Sequence, residues 1–129
     1  MKAIDFEEKY YDIVCHWWDQ WGFPLMPLEA LPENGIMIVD GETPVCCAWI
    51  YKTDSAICWI EFYVVNKRVD IFTRGKALDF LLKSCFERAK DLGFKIAFSS
   101  VDSGSIGKRL LKSGFKVSDE NMVNYLKVL

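Results

Sequence analysis

The segment NKRVDIFTRGKALDFLL (66–82) gathers Lys67, Arg68, Arg74 and Lys76 around Gly75, at what reads as the start of a long helix. Cations beside the unpaired N–H groups and positive dipole end of a helix N-terminus suit an anion such as phosphate, and a glycine lets the backbone approach it closely. The stretch before it, WIEFYVV (59–65), sets one carboxylate, Glu61, and one phenol, Tyr63, into an otherwise apolar strand. Strict alternation puts these two on one face. Other chemistry is poorly served. Five cysteines without a Cys-x-x-Cys pair, together with a lone histidine, His16, fit neither a disulfide framework nor a zinc site. Cys46 and Cys47 are adjacent on a strand and so face opposite ways, while His16 lies among Asp12, Asp19 and Gln20 on the polar side of a helix. GSIGKR (104–109) lacks the spacing of a nucleotide-binding phosphate loop.

Several elements must hold these residues. Asp5 and Glu8 have capping-box spacing, and Phe6, Tyr10, Ile13, Val14, Trp17 and Trp21 then recur at helical intervals up to Gly22, which predicts a first helix. Trp17, Trp18, Trp21 and Phe23 either fill a core or line an acceptor pocket. Three prolines at 24, 27 and 32 make the next segment a loop. Residues 36–39 and 45–51, joined at Asp40-Gly41, predict a hairpin, and 56–65 adds a third antiparallel strand. Leu78, Leu81, Leu82, Cys85, Ala89 and Leu92 form one stripe of the long helix, which Gly93 ends. A strand at 96–100 then completes a parallel, right-handed crossover. A short helix at 103–112 and a closing hairpin of 115–117 with 122–128 finish the chain. The fold class is mixed α/β, in a single domain spanning residues 1–129.

With 129 residues, 51% of them hydrophobic and 26% charged, the chain has the make-up of one folded domain that needs no metal or disulfide to hold it. Its longest apolar run, residues 45–51, is far too short to span a bilayer, so neither a membrane nor secretion is expected, and reduced thiols suit a cytoplasmic protein. The net charge of −2 conceals an asymmetry: residues 1–64 carry 11 acids and 3 bases, whereas 65–129 carry 7 acids and 13 bases. Either the halves neutralise each other or they face ligands of opposite sign, a cation on the first and an anion on the second. No nucleic-acid partner is expected.

The order of elements from residue 36 onward, with WIEFYVV (59–65), RGKALDFLL (74–82) and KRLLKSGF (108–115), resembles the GNAT superfamily of acyl-CoA N-acyltransferases. That family opens the helix after its fourth strand with Arg/Gln-x-x-Gly-x-Gly/Ala, whose amides hold the coenzyme A pyrophosphate. Taking Gly75 and Ala77 as the last two small residues puts Phe72 at the first position; taking Arg74 as the first puts Ala77 and Asp79 at the small positions. The resemblance implies acetyl-CoA or another acyl-CoA as cofactor, held by Val64, Val65, Arg74, Gly75, Lys76, Ala77 and Ser103. It also implies a small-molecule or peptide amine as acceptor, possibly cationic, with Glu61 as general base and Tyr63 as the nearest acid. Leu110 stands where the family often has its acidic tyrosine, and a leucine donates no proton. The alternative is a GNAT-like binding module that has lost catalysis.

Overall fold

The computed structural model describes residues 1–102 and 104–129. Five strands form one mixed sheet in chain order: β1 (Lys2–Asp5), β2 (Asn34–Asp40), β3 (Thr43–Lys52), β4 (Ile57–Val65) and β5 (Ile96–Phe98). The first four pair antiparallel and β5 runs parallel to β4. Helix α1 (Tyr11–Gln20) packs on one face of the sheet and α2 (Ile71–Asp91) on the other, and α3 (Ser105–Lys112) follows β5.

Period-two alternation divides the sheet between two cores. Ile36, Ile38, Cys46, Ala48, Ile50, Cys58 and Ile60 bury against Leu78, Leu81, Leu82 and Cys85 of α2. Met37, Cys47, Trp49 and Val64 bury against Val14, Trp17 and Trp18 of α1. Cys46 and Cys47 therefore do face opposite ways, and burial pushes both thiols well up. Trp17 and Trp18 are core residues rather than pocket lining. Of the expected α2 stripe, Leu78, Leu81, Leu82, Cys85 and Ala89 are buried while Leu92, just past the helix, is exposed; the helix end agrees, for Gly93 takes φ 93°, and Gly93 and Phe94 donate back to Lys90 O and Ala89 O.

Two expectations fail. Residues 2–5 pair with β2 instead of capping a helix: Asp5 is opposite Ile36 and its carboxylate meets Arg88 at 2.7 Å, so it cannot turn back to cap. The helix accordingly starts at Tyr11, after a 3-10 turn over Glu8–Tyr10. Edge pairing, a tertiary gain, outweighs a local capping signal. The closing hairpin is also absent. Residues 115–129 form no strand, and beyond the half-buried Phe115, which packs 5.4 Å from Phe86, they are exposed. A terminal strand needs an edge to complete its hydrogen bonds, and this segment does not lie along β5.

Close approach explains Gly35 on β2. A Cβ there would lie 2.6 Å from Phe6 Cβ and 2.6 Å from Trp49 Nε1, and Trp49 is itself held by Phe6 and Trp18. Gly35→Ala is expected to destabilise the fold by about 1–3 kcal/mol, the usual cost of overpacking, and a denaturant melt with unchanged slope checks this.

Candidate active site

The site grows out of an irregularity in β4. Phe62 has φ 59°, a left-handed conformation that bulky residues seldom adopt, and the β3–β4 register shifts between Cys47 and Trp49 opposite it. The extra residue breaks the alternation: Ile60 and Tyr63 both belong to the α2 side, while Glu61, paired with Trp49, and Phe62 lie on the α1 side. Glu61 and Tyr63 are therefore on opposite faces, contrary to strict alternation. The bulge also comes just after the last β4–β5 pair, Trp59 with Phe98. From there to Val65 β4 stays paired with β3 but has no ladder partner in β5, so a gap in the pairing opens between the two strands.

Side chains reach across the mouth of this gap. Glu61 Oε1 accepts the Ser100 N–H at 2.8 Å. The Glu61 carboxyl is half-buried, and desolvation raises its pKa above the usual carboxylate range, partly opposed by the Ser100 hydrogen bond. Tyr51, on the same face, is pushed up to about 12 by burial and then by the Glu61 charge. On the other face, Ser99 Oγ donates to Ile60 O at 2.7 Å and so accepts from the Tyr63 hydroxyl at 2.7 Å. Burial keeps Tyr63 protonated far above neutral pH. Ser99 and Ser100 carried no signal in the sequence, because only the splaying of β4 from β5 gives them partners.

The end of β4 is built for charge. Val64 is buried against α1, and Val65 O accepts Trp21 Nε1–H at 2.8 Å. The Trp21 ring lies 4.8 Å from Lys67 Nζ and 5.8 Å from Arg74 Cζ, so one indole supports two cations. Arg74 Nε is buried without a hydrogen-bond partner. Phe23, by contrast, is exposed and away from this cluster's contacts.

Helix α2 begins earlier than the motif suggested. Asp70 caps it, accepting Thr73 N–H at 3.0 Å, which holds the Asp70 carboxyl below its usual range, and the first helical bond runs from Arg74 N to Asp70 O. The amides of Gly75, Lys76 and Ala77 thus lie inside the helix, and those ahead of the first helical bond belong to Ile71 and Phe72. Ala77 is fully buried, Lys76 is exposed, and Gly75 packs against Arg109, where a Cβ would meet Nη2 at 3.1 Å. Arg109 Nη1 donates to Gly75 O at 3.2 Å and pairs with Asp79, which neutralises the carboxylate at the motif's last small position. Sequence reasoning missed Arg109; a basic residue three places before a helix end gave no sign of its partner. Ser103 lies outside the described residues. Leu110 is buried in the α2-side core.

Among the described residues, one of five ion pairs, Arg88 with Asp5, joins the acidic first half to the basic second half. Among those residues, direct ion pairing between the halves is limited to that contact. No helix among those residues is long and apolar enough to cross a membrane.

Neither a known family's sequence model nor a curated protein matches the chain. Solved structures do. A structure described as a probable acetyltransferase aligns over 100% of this chain and 99% of its own at 15% identity and TM-score 0.71. A probable acetyltransferase from methicillin-resistant Staphylococcus aureus aligns over 98% of both chains at 13% identity and TM-score 0.72. N-acetylglutamate synthase from Neisseria gonorrhoeae, complexed with coenzyme A and L-arginine, matches 96% of this chain but 29% of its own, at 14% identity and TM-score 0.72. With its mixed five-strand sheet, bulged fourth strand and parallel crossover, the chain has the GNAT-like acetyltransferase fold.

Proposed function

We propose that this protein is an acyl-CoA-dependent N-acyltransferase, and that its acceptor is a small cationic amine. The observation that carries the reading is the gap beyond Trp59 and Phe98, which has a desolvated carboxylate, Glu61, at its mouth and the Lys67–Trp21–Arg74 cluster at the far end of β4. The likeness to acetyltransferases, one of them holding coenzyme A, supports it.

The residues present fit the cofactor. Lys67 and Arg74, whose Nε has no partner, would hold the diphosphate together with the Ile71 and Phe72 amides, and Lys76 adds charge one turn further in. Val64 and Val65 would run alongside the pantetheine arm on the stretch of β4 that β5 leaves free. Gly75 and Ala77 contribute by being small, the first against Arg109 and the second in the core. Acyl-CoA supplies an activated thioester carbonyl.

The chain's own residues then handle protons. An amine that arrives protonated has no lone pair, and Glu61 removes the proton; a pKa raised by desolvation brings the carboxylate nearer the working pH of a base. Tyr63 is the phenol nearest the gap and holds its proton, as an acid must. Because Leu110 is buried and apolar, no acid is available from α3 at that position. An acidic first half attracts a cationic acceptor, and added salt weakens that attraction.

Acetyl-CoA at about 100 times its dissociation constant should stabilise the protein by about 2.7 kcal/mol and raise its melting temperature by several degrees. Absence of any shift at millimolar acetyl-CoA would overturn the cofactor assignment.

A further inference from the structure

The α1 side of the sheet carries more than a core. Helix α1 covers β2, β3 and the end of β4 there, burying Met37, Cys47, Trp49 and Val64. Beyond it, the register lines up one aromatic ring from each of three strands: Tyr51 on β3 is opposite Trp59 on β4, and Trp59 is opposite Phe98 on β5. Trp59 and Phe98 stack with centroids 4.9 Å apart and planes 23° apart, and Phe62 closes edge-on upon Tyr51 at 5.9 Å. Neither Trp59 nor Phe98 belongs to either core, and Trp59 is 38% exposed. The adjoining row on that face, Ile57 opposite Ile96, is apolar as well, and Ile96 is 52% exposed.

On the other side of the aromatic row stands Glu61. It follows Trp59 by two residues on one face of β4, which sets the two side chains roughly 6.5–7 Å apart along the strand. The Tyr51 hydroxyl is already taken, donating to Ala30 O at 2.8 Å, so Tyr51 offers its ring and no free polar group. The same bond ties to the row a loop that carries Glu29 and Glu33. Cross-strand aromatic pairs do stabilise sheets, but a ring kept for stability alone gains most by burial. This stacked pair stands open, one step along the strand from a half-buried carboxylate.

We propose that the acceptor is an amine with a flat aromatic group two or three carbons from its nitrogen and no carboxylate of its own, its ammonium at Glu61 and its ring against Trp59 and Phe98. The proposal rests on the acyl-transfer reading and names the acceptor class within it. Two or three carbon links span the step from Glu61 to Trp59. Ring faces favour an offset third ring and attract a nearby ammonium. A carboxylate next to the amine would be repelled by Glu61, and a polyamine would press a charged, hydrated end against an apolar surface.

Phenethylamine, propylamine, putrescine and phenylalanine, compared as acceptors with acetyl-CoA and as ligands by isothermal titration with and without coenzyme A, test the assignment. Phenethylamine should exceed each of the others by about 10-fold or more in kcat/KM and bind more tightly than each. Trp59→Ala should cut the phenethylamine-to-propylamine ratio about 10-fold and Trp59→Phe, which keeps a ring, should hold it, whereas a purely structural role would lower both amines alike. Phe98→Leu, which keeps apolar bulk and removes the stack, carries the same expectation should Trp59→Ala fail to fold. Acylation without preference for phenethylamine, a preference for phenylalanine or putrescine, or a ratio unchanged in the variants would overturn this proposal and leave acyl transfer standing. Phenethylamine bound through Trp59 but never acylated would instead overturn acyl transfer and keep the amine site. Neither binding nor acylation would overturn both.

Discussion

Replacing Glu61 by glutamine is expected to lower kcat by roughly 10²–10⁴-fold, the usual worth of a positioned proton acceptor, with acetyl-CoA still raising the melting temperature as in the parent protein. Glutamine keeps an oxygen that accepts the Ser100 N–H, so the loss would report missing basicity rather than a broken contact. Two further readouts follow from the raised pKa of Glu61. In the parent, kcat/KM should climb with pH through that pKa, above the ordinary glutamate range, and the variant should lose this limb. Stability moves the other way. A carboxyl whose folded pKa lies above its unfolded value binds more protons when folded, so stability falls as pH rises from the unfolded to the folded pKa. At neutral pH the ionised group is then a net cost, and Glu61→Gln should melt no lower than the parent, and higher if the cost is large. Unchanged turnover would remove Glu61 from the mechanism.

Removing both cations from Trp21 should have the second-largest effect. Lys67→Ala together with Arg74→Ala deletes two charge-assisted contacts to the cofactor's diphosphate, each worth about 1.5–3 kcal/mol, so acetyl-CoA affinity should fall by at least 100-fold. Its remaining salt dependence should flatten, since fewer charges are left to screen. The fold itself should tolerate the change, because neither side chain belongs to a core. Isothermal titration at two salt concentrations reads both quantities, and parent-like affinity would move the diphosphate elsewhere.

Some elements were legible because one local signal decided them. Asp40-Gly41 specified the first hairpin, and the Leu78–Leu81–Leu82–Cys85 stripe with Gly93 specified α2. Others were misread because two residues far apart settle them. Asp5 looked like a cap until Arg88 took its carboxylate, 83 residues away. The tail looked like a hairpin because alternation records a strand's faces but not whether an edge is placed to pair with it.

From its residues alone, this chain determines a mixed sheet with a parallel crossover, two apolar faces and a cluster of cations at the entry to its longest helix, because hydrophobic period, turn chemistry and net charge are local properties. Only the tertiary structure decided which face each site residue takes. Phe62 enters a left-handed conformation because the sheet around it fixes its backbone, and that single bulge parts Glu61 from Tyr63 and opens β4 from β5. The partners Ser99, Ser100, Trp21 and Arg109 are likewise set by packing. A side chain's chemistry depends on what surrounds it, and these surroundings come from elements 34–44 residues distant in the chain.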